Sequence, residues 1–278
     1  MIFIVNPISG SGRKNSIIAH LEKNGHKVLC TEYPGHGEIL ARETDAEVVV
    51  AVGGDGTVNE VARGIISSSK TLGIIPCGSG DGLALHLGIS RNYRRALKNI
   101  MDGKTIMIDA ATINDRPFFS VCGIGFDAVV SERFAKSGKR GVINYIEQGI
   151  MTWKEYTPDK YTIRIDGNEW TNDAALITIG NSNQWGNGAK ITPHADITDG
   201  LLDVTVVDMF NTIEMAELAH LLLTGNIDTN RKVHCYRGKE ISIRRSTTGP
   251  AHADGDWFTT GKTIDIRIIP QALKVIVP

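Results

Sequence analysis

Three short loops carry the residue types that hold phosphate, and each stands where an apolar run gives way to helical spacing. The second is the most informative. Residues 47–61 read EVVVAVGGDGTVNEV, a β-branched run stopped by Gly53-Gly54-Asp55-Gly56-Thr57 and followed by apolar positions Val58, Val61, Ala62 and Ile65 at helical intervals. Such a run suits a buried parallel strand, and the glycines let the backbone approach a ligand or take positive φ. A helix opening at Thr57 or Val58 offers unpaired N–H groups and a positive dipole end to phosphate oxygens. On its own, the loop is equally well explained as an ordinary turn with Asp55 as turn residue or N-cap. The other two loops shift the balance. Asn6-Pro7-Ile8-Ser9-Gly10-Ser11-Gly12, followed by Arg13 and Lys14, leaves the first strand, and Pro76-Cys77-Gly78-Ser79-Gly80-Asp81-Gly82 again joins strand to helix. Three such loops at successive strand ends converge on one rim of an open α/β sheet, where ligands bind. The spacing fits neither a Walker P-loop nor a dinucleotide fingerprint.

Two acidic turns lie far downstream. Asp196-Ile197-Thr198-Asp199-Gly200-Leu201 offers two carboxylates beside a backbone carbonyl, oxygen ligands of the kind Mg²⁺ takes. Asp254-Gly255-Asp256 sets two carboxylates around a glycine. Plain hairpin turns explain either sequence taken alone.

The elements that must position these residues fall into two textures. Up to about residue 90 the chain alternates strand (2–5, 27–31, 48–52, 72–75) and helix (14–24, 37–44, 57–66), which predicts a doubly wound parallel sheet. After Asp102-Gly103 the runs turn period-2 and β-rich (105–113, 117–121, 161–165, 174–179, 202–207, 240–243, 263–269), with helical insertions at 142–153 and 212–223. This predicts an α/β domain at 1–103 and a mostly antiparallel β-sandwich domain at 104–278, leaving open that the last segment packs back on the first domain.

Composition narrows the function. A net charge of −1 lacks the basic field of a nucleic-acid binder. Four widely spaced cysteines without a CxxC pair fit a reducing cytoplasm and no zinc site. MIFIVNP reads as a first strand rather than a signal peptide, and no apolar run reaches the length of a membrane span. The helix around Met215 to Leu223 and the tryptophans Trp153, Trp170, Trp185 and Trp257 read as packing residues.

The order of NPISG, GGDGTVNE, PCGSGDG, then Pro193-His194-Ala195 with Asp199-Gly200-Leu201-Leu202-Asp203, and the late Asp254-Gly255-Asp256 resembles the diacylglycerol kinase catalytic family, which includes bacterial lipid kinases and sphingosine kinases. The resemblance runs from Asn6 to Asp256 and implies an ATP- and Mg²⁺-dependent kinase, with nucleotide on the first domain and a lipid hydroxyl as acceptor. It assigns nucleotide contacts to Asn6, Ser9, Gly10, Thr31, Gly53, Gly54, Asp55, Gly56, Thr57, Asn59, Glu60, Gly78, Ser79 and Gly80. A Mg²⁺ site falls on Asp196, Asp199 and the Leu201 carbonyl, and catalytic carboxylates on Asp55, Asp254 and Asp256. Asp55 and Asp256 compete for the role of base. A lipid alcohol and a transient membrane surface are the expected partners, which places the protein in the cytoplasm, peripheral at the membrane; a homodimer stays open. The late turn reads DGD where the family has DGE, and residues 78–82 read GSGDG where many bacterial members have GTGND. An NAD kinase-like soluble-alcohol kinase and a nucleotide- or lipid-binding protein without catalysis are the competing expectations.

Overall fold

Residues 1–8, 14–138 and 142–278 of the 278 are described by the computed structural model, the side chains at 142, 143, 146, 212 and 213 excepted. The chain divides into two units, residues 1–109 with 270–278, and residues 110–269.

In the first unit, β1 (Ile2–Val5), α1 (Lys14–Lys23), β2 (Lys27–Cys30), α2 (His36–Glu43), β3 (Val48–Gly53), α3 (Asp55–Ile65) and β4 (Thr71–Pro76) alternate, followed by α4 (Gly82–His86) and α5 (Tyr93–Asp102). The strands run parallel in the order β2-β1-β3-β4. Ile2 to Val5 and Val49 to Val52 are all but fully buried, as continuous apolar strands covered by helices on both faces must be. The chain returns at its end: Lys274 and Val275 pair in parallel with Thr71 and Leu72, and the Asp109 carboxylate accepts from the Gln271 amide at 2.7 Å. The division falls at 109 rather than at 103, because β5 (Thr105–Ile113) starts just after Gly103 and its first residues stay with this unit.

The second unit contains β6 (Arg116–Phe118), β7 (Val121–Gly125), α6 (Phe126–Ser137), α7 (Val142–Glu155), β8 (Asp159–Ile165), β9 (Asn168–Ala174), β10 (Leu176–Gly180), β11 (Leu202–Val207), α8 (Thr212–Thr224), β12 (Val233–Gly238), β13 (Glu240–Arg244), β14 (Gly249–Ala253), β15 (Asp256–Thr260) and the first half of β16 (Thr263–Ile276). One antiparallel sheet runs β12-β11-β10-β7-β14-β15, and β16, β13, β8 and β9 form the other. Alternate residues point inward, so Ile163 and Ile165, Ile241 and Ile243, and Ile264 and Ile266 meet Ile124, Ile177 and Val204 in one apolar core. Type I′-like turns, with both central residues at positive φ, close the hairpins at Asn114-Asp115, Asp166-Gly167 and Asp254-Gly255.

Two expectations change. Helix α3 starts at Asp55, with Gly54 as its N-cap, two residues before Thr57. The strand expected over 117–121 is two strands. The helix around Met215 to Leu223 packs through one face, as expected, with Leu218 buried in an apolar cluster and Leu221 and Leu222 against it.

Candidate nucleotide site and acidic turn

In the first unit, two of the glycine loops are locked together by one carboxylate. Asp55 stands at the first position of α3, and its Oδ2 accepts from the Asp81 amide and its Oδ1 from the Gly82 amide, both at 2.7 Å. Burial pushes Asp55 above the ordinary carboxylate value, while the Gly82 and Asp81 amides and the Arg91 guanidinium pull the other way. The loops touch backbone to backbone: a methyl on Gly78 would lie 2.6 Å from the Gly54 Cα, and one on Gly80 would lie 2.7 Å from Asp55 Oδ2. Gly54, Gly78 and Gly80 are thus demanded by close approach, at ordinary φ.

Asp81 does the same work from the other side. At φ 50° it turns its Oδ1 back to the Gly78 amide at 2.8 Å, and Arg91 grips Oδ2 through Nε at 3.0 Å. The same guanidinium donates to the Ser79 and Gly80 carbonyls at 3.1 and 2.9 Å. Burial raises Asp81 too, with Asp55 adding to the rise.

Beside this clasp lies a cavity of about 420 Å³ whose lining includes Lys14, Cys77, Gly78, Asp81, Arg91 and Arg94. Lys14 is only 3% exposed and donates to the Asn6 carbonyl at 2.6 Å. Three cations gathered around one cavity are what a polyphosphate needs. Cys77 is held as a neutral thiol, pushed up to about 11 by burial. Sequence reading missed Arg91 and Arg94. The available signal was Asn92, which caps α5 by accepting from the Arg94 and Arg95 amides and so fixes the basic residues at its start.

The remaining assigned residues divide by what they touch. Thr57 Oγ1 and Asn59 Nδ2 are buried without a hydrogen-bond partner, so the first turns of α3 hold unused polar capacity. Gly53 has no room for a methyl against the Thr57 side chain, whereas Gly56 is open, with nothing within 4 Å. Asn6 Oδ1 accepts from the Ile8 amide at 3.0 Å, and the buried Thr31 donates its amide to the Val5 carbonyl at 2.8 Å. Glu60 serves the fold: its two oxygens accept from the Gly35 and Gly37 amides at 2.8 and 2.9 Å, capping α2. Ser9 and Gly10 lie outside the described residues.

In the second unit the acidic turn also grips backbone. Asp254 Oδ1 accepts from the Ser120 and Val121 amides at 2.8 and 3.0 Å, and Oδ2 from the Phe119 amide at 2.8 Å. These three bonds explain why β6 and β7 separate at 119–120: the amides there serve a side chain instead of a strand neighbour. Burial lifts Asp254 to about 6, against the pull of those amides and with a further push from Asp256. Asp256 is exposed.

The proposed cation residues are oxygen donors, as a hard divalent ion requires. Asp196 Oδ1 already accepts from the Thr198 amide and hydroxyl at 2.9 and 2.7 Å. Asp199 accepts from the Leu201 amide at 3.0 Å and is ion-paired with Arg237, which also holds Asp203 at 3.1 Å. The donor set fits Mg²⁺, but Asp199 has to share its carboxylate with Arg237. Among the described residues no cluster of three His, Cys, Asp or Glu side chains is placed to hold a metal. Nor, among them, is any helix long and apolar enough to cross a membrane.

Residues 1–113 match the family model of the diacylglycerol kinase catalytic domain, and residues 120–277 that of the YegS C-terminal NAD kinase beta sandwich-like domain. The chain is 30% identical over 250 residues to the Probable lipid kinase YegS-like of Klebsiella pneumoniae (strain 342), covering 86% of this chain and 80% of that protein. It is 31% identical over 245 residues to the Probable lipid kinase YegS of Salmonella newport (strain SL254), with the same coverage of 86% and 80%. A crystal structure of a diacylglycerol kinase from Bacillus anthracis str. Sterne matches with a TM-score of 0.76 at 20% identity, over 100% of this chain and 96% of that one. An NAD kinase from Archaeoglobus fulgidus in complex with ATP matches with a TM-score of 0.58 at 13% identity, over 99% and 92%. At these identities both structures speak to fold alone. The two family models in sequence order, together with relatives aligned over four-fifths of their length, show that the chain belongs to the lipid kinase family that joins a diacylglycerol kinase catalytic domain to a YegS-type sandwich domain.

Proposed function

We propose that the protein transfers the γ-phosphate of ATP to the hydroxyl of a lipid alcohol, with a diacylglycerol-like or sphingoid-base acceptor. The observation that carries this reading is the clasp of Asp55 on the Asp81 and Gly82 amides, beside a cavity lined by Lys14, Arg91 and Arg94. Phosphoryl transfer asks a protein for positioning and charge neutralisation rather than covalent chemistry. The unpartnered Thr57 Oγ1 and Asn59 Nδ2 and the open flank of Gly56 support phosphate oxygens at the start of α3.

On this reading Asp55 and Asp254 shape loops, and Asp256 is the carboxylate that accepts the acceptor hydroxyl's proton. Asp55 has both oxygens committed to backbone donors, and Asp254 has three such bonds, whereas Asp256 is exposed at the start of β15. Mg²⁺ travelling with ATP supplies positive charge to the β- and γ-phosphates. A second, fold-supporting Mg²⁺ would be held by Asp196, Asp199 and the Leu201 carbonyl, and contact with a membrane surface would be transient.

The test is transfer of label from γ-labelled ATP to diacylglycerol, ceramide, sphingosine and monoacylglycerol in mixed micelles, with NAD in parallel. A labelled lipid is expected. Labelled NAD would move the protein to the soluble-alcohol branch, and ATP binding without any labelled product would overturn the kinase reading.

A further inference from the structure

Behind the acidic turn of the second unit lies a buried polar row that none of the assigned roles uses. Strand register places His252 on β14 opposite Gly123 on β7, and Gly123 opposite Thr178 on β10. Over Gly123, the side chains of His252 and Thr178 meet Asp127, from the first turn of α6. His252 is 3% exposed, Asp127 4% and Thr178 0%. His252 Nε2 lies 3.1 Å from Asp127 Oδ2, which also accepts from Thr178 Oγ1 at 3.0 Å, and Asp127 Oδ1 accepts from the Ala128 amide at 2.8 Å. A methyl on Gly123 would collide with Asp127 Oδ2 and come within 2.6 Å of His252 Nε2, so a residue without a side chain is what admits the row.

The partners fix the ring's protonation. An ionised Asp127 can only accept, so His252 Nε2 carries a proton. On the other side of the ring, Nδ1 receives the Gly255 amide at 3.4 Å, so Nδ1 carries none. Both contacts select the neutral Nε2–H tautomer.

The Gly255 amide belongs to the acidic turn itself. Asp254 is tied to residues 119–121 by its carboxylate and to the Val121 carbonyl by its amide at 2.8 Å. The bond to His252 holds the next residue, from which the chain passes to Asp256. A row filled for packing alone would be better served by apolar side chains, because a buried carboxylate repays its desolvation poorly.

We propose that His252, held as the Nε2–H tautomer by Asp127, is a positioning residue for phosphoryl transfer: by receiving the Gly255 amide it fixes the Asp254-Gly255-Asp256 turn and so the placement of Asp256. The inference rests on the kinase reading above for its effect on rate, but its geometry is measurable without any substrate. The long bond at 3.4 Å is the weak member of the row, so losing it loosens the turn without opening the core.

The experiment combines ¹⁵N NMR of the intact protein with steady-state kinetics on two variants. His252→Gln keeps a donor toward Asp127 and loses the acceptor for Gly255; His252→Asn keeps an acceptor at the Nδ1 position and loses the link to Asp127. Wild type is expected to show His252 with Nδ1 unprotonated at neutral pH. His252→Gln should exchange the Gly255 amide faster and lose about 10- to 100-fold in kcat with KM for ATP unchanged, the penalty of a displaced reacting group. His252→Asn should keep more of both. Should His252→Gln fail to fold, Asp127→Asn replaces it, with a mixture of His252 tautomers and an intermediate kcat expected. An Nδ1–H tautomer or an imidazolium in the wild type would overturn the proposal, as would wild-type Gly255 exchange and kcat in His252→Gln. If no alcohol is phosphorylated by the wild type while the tautomer and exchange results hold, it is the kinase reading that fails and not the geometry.

Discussion

Replacing Asp55 by Asn separates the clasp from a catalytic base. The carboxylate accepts from two backbone amides at 2.7 Å, one on each oxygen. An Asn side chain keeps one oxygen, and its NH₂ group faces an N–H donor in the other slot, so one charge-assisted bond is lost and a buried amide is left unmet. A hydrogen bond to a charged group contributes about 1.5–3 kcal/mol, and at about 1.4 kcal/mol per tenfold the closed loop becomes about 10- to 100-fold less favoured. Only the first unit's loops depend on it, so the protein should fold, with a lower melting temperature. Affinity for ATP, measured by calorimetry, should fall by the same factor as the closed population. Amide exchange at Asp81 and Gly82 should accelerate together. The clasp is refuted if both amides stay as protected as in the wild type and ATP binds normally while turnover is abolished; Asp55 would then be acting on the reacting hydroxyl.

Three further outcomes follow from the same geometry. Gly56→Ala places a methyl where nothing lies within 4 Å, inside α3; it should stabilise the fold by up to about 1 kcal/mol through helix propensity while weakening ATP binding, and unchanged ATP affinity would remove phosphate from that flank. Asp254, at about 6 in the fold against an ordinary 3.8, binds its proton more tightly folded than unfolded; its contribution is complete below pH 3.8 and fades as the pH rises through about 6, by about 3 kcal/mol at about 1.4 kcal/mol per pH unit. Urea titrations from pH 4 to 7 should show that slope in the wild type and lose it in Asp254→Asn. Mg²⁺ should raise the melting temperature of the wild type, more strongly in Arg237→Gln, which frees Asp199, and not in Asp199→Asn; equal shifts in all three would place the ion elsewhere.

What the sequence makes legible is whatever is encoded locally. Continuous Val-rich runs name the parallel strands, period-2 runs name the sandwich, and Asp-Gly pairs name its turns. Three features hide because their causes are remote. The break between β6 and β7 is made by a carboxylate 133 to 135 residues away. The continuation of β16 beyond residue 269 depends on pairing with β4, some 200 residues earlier in the chain. Arg91 acquires its role only when the loop at 78–82 folds back toward it. Helix α5 is missed for a different reason: only Ala96 and Ile100 are buried along it, so its apolar stripe is too thin to read, and its definition comes from the Asn92 cap and Gly103 at φ 77°. In the site, residue types were legible and their partners were not. Glu60 stands inside the GGDGTVNE motif, yet both its oxygens serve α2.

Three carboxylates, one from each of three glycine-rich motifs, share one use. Asp55 binds two backbone amides, Asp81 binds one and an arginine, and Asp254 binds three amides. In each case burial opposes ionisation and backbone donors favour it, so the charge is tolerated because it organises a loop. A reaction whose transition state is stabilised mainly by placement and electrostatics gains most from rigid loops, and carboxylates fixed by main-chain donors are a rigid way to make them. The exposed Asp256 then has a shorter reach than the glutamate of a DGE turn. The turn beneath it is held by Asp254 on one side and His252 on the other, an order that on the proposed kinase reading would offset the shorter reach. Asp256→Glu tests this: restoring the longer side chain on an already fixed turn should change kcat and leave the Gly255 amide exchange untouched, whereas a change in exchange would mean that the length of residue 256 sets the turn.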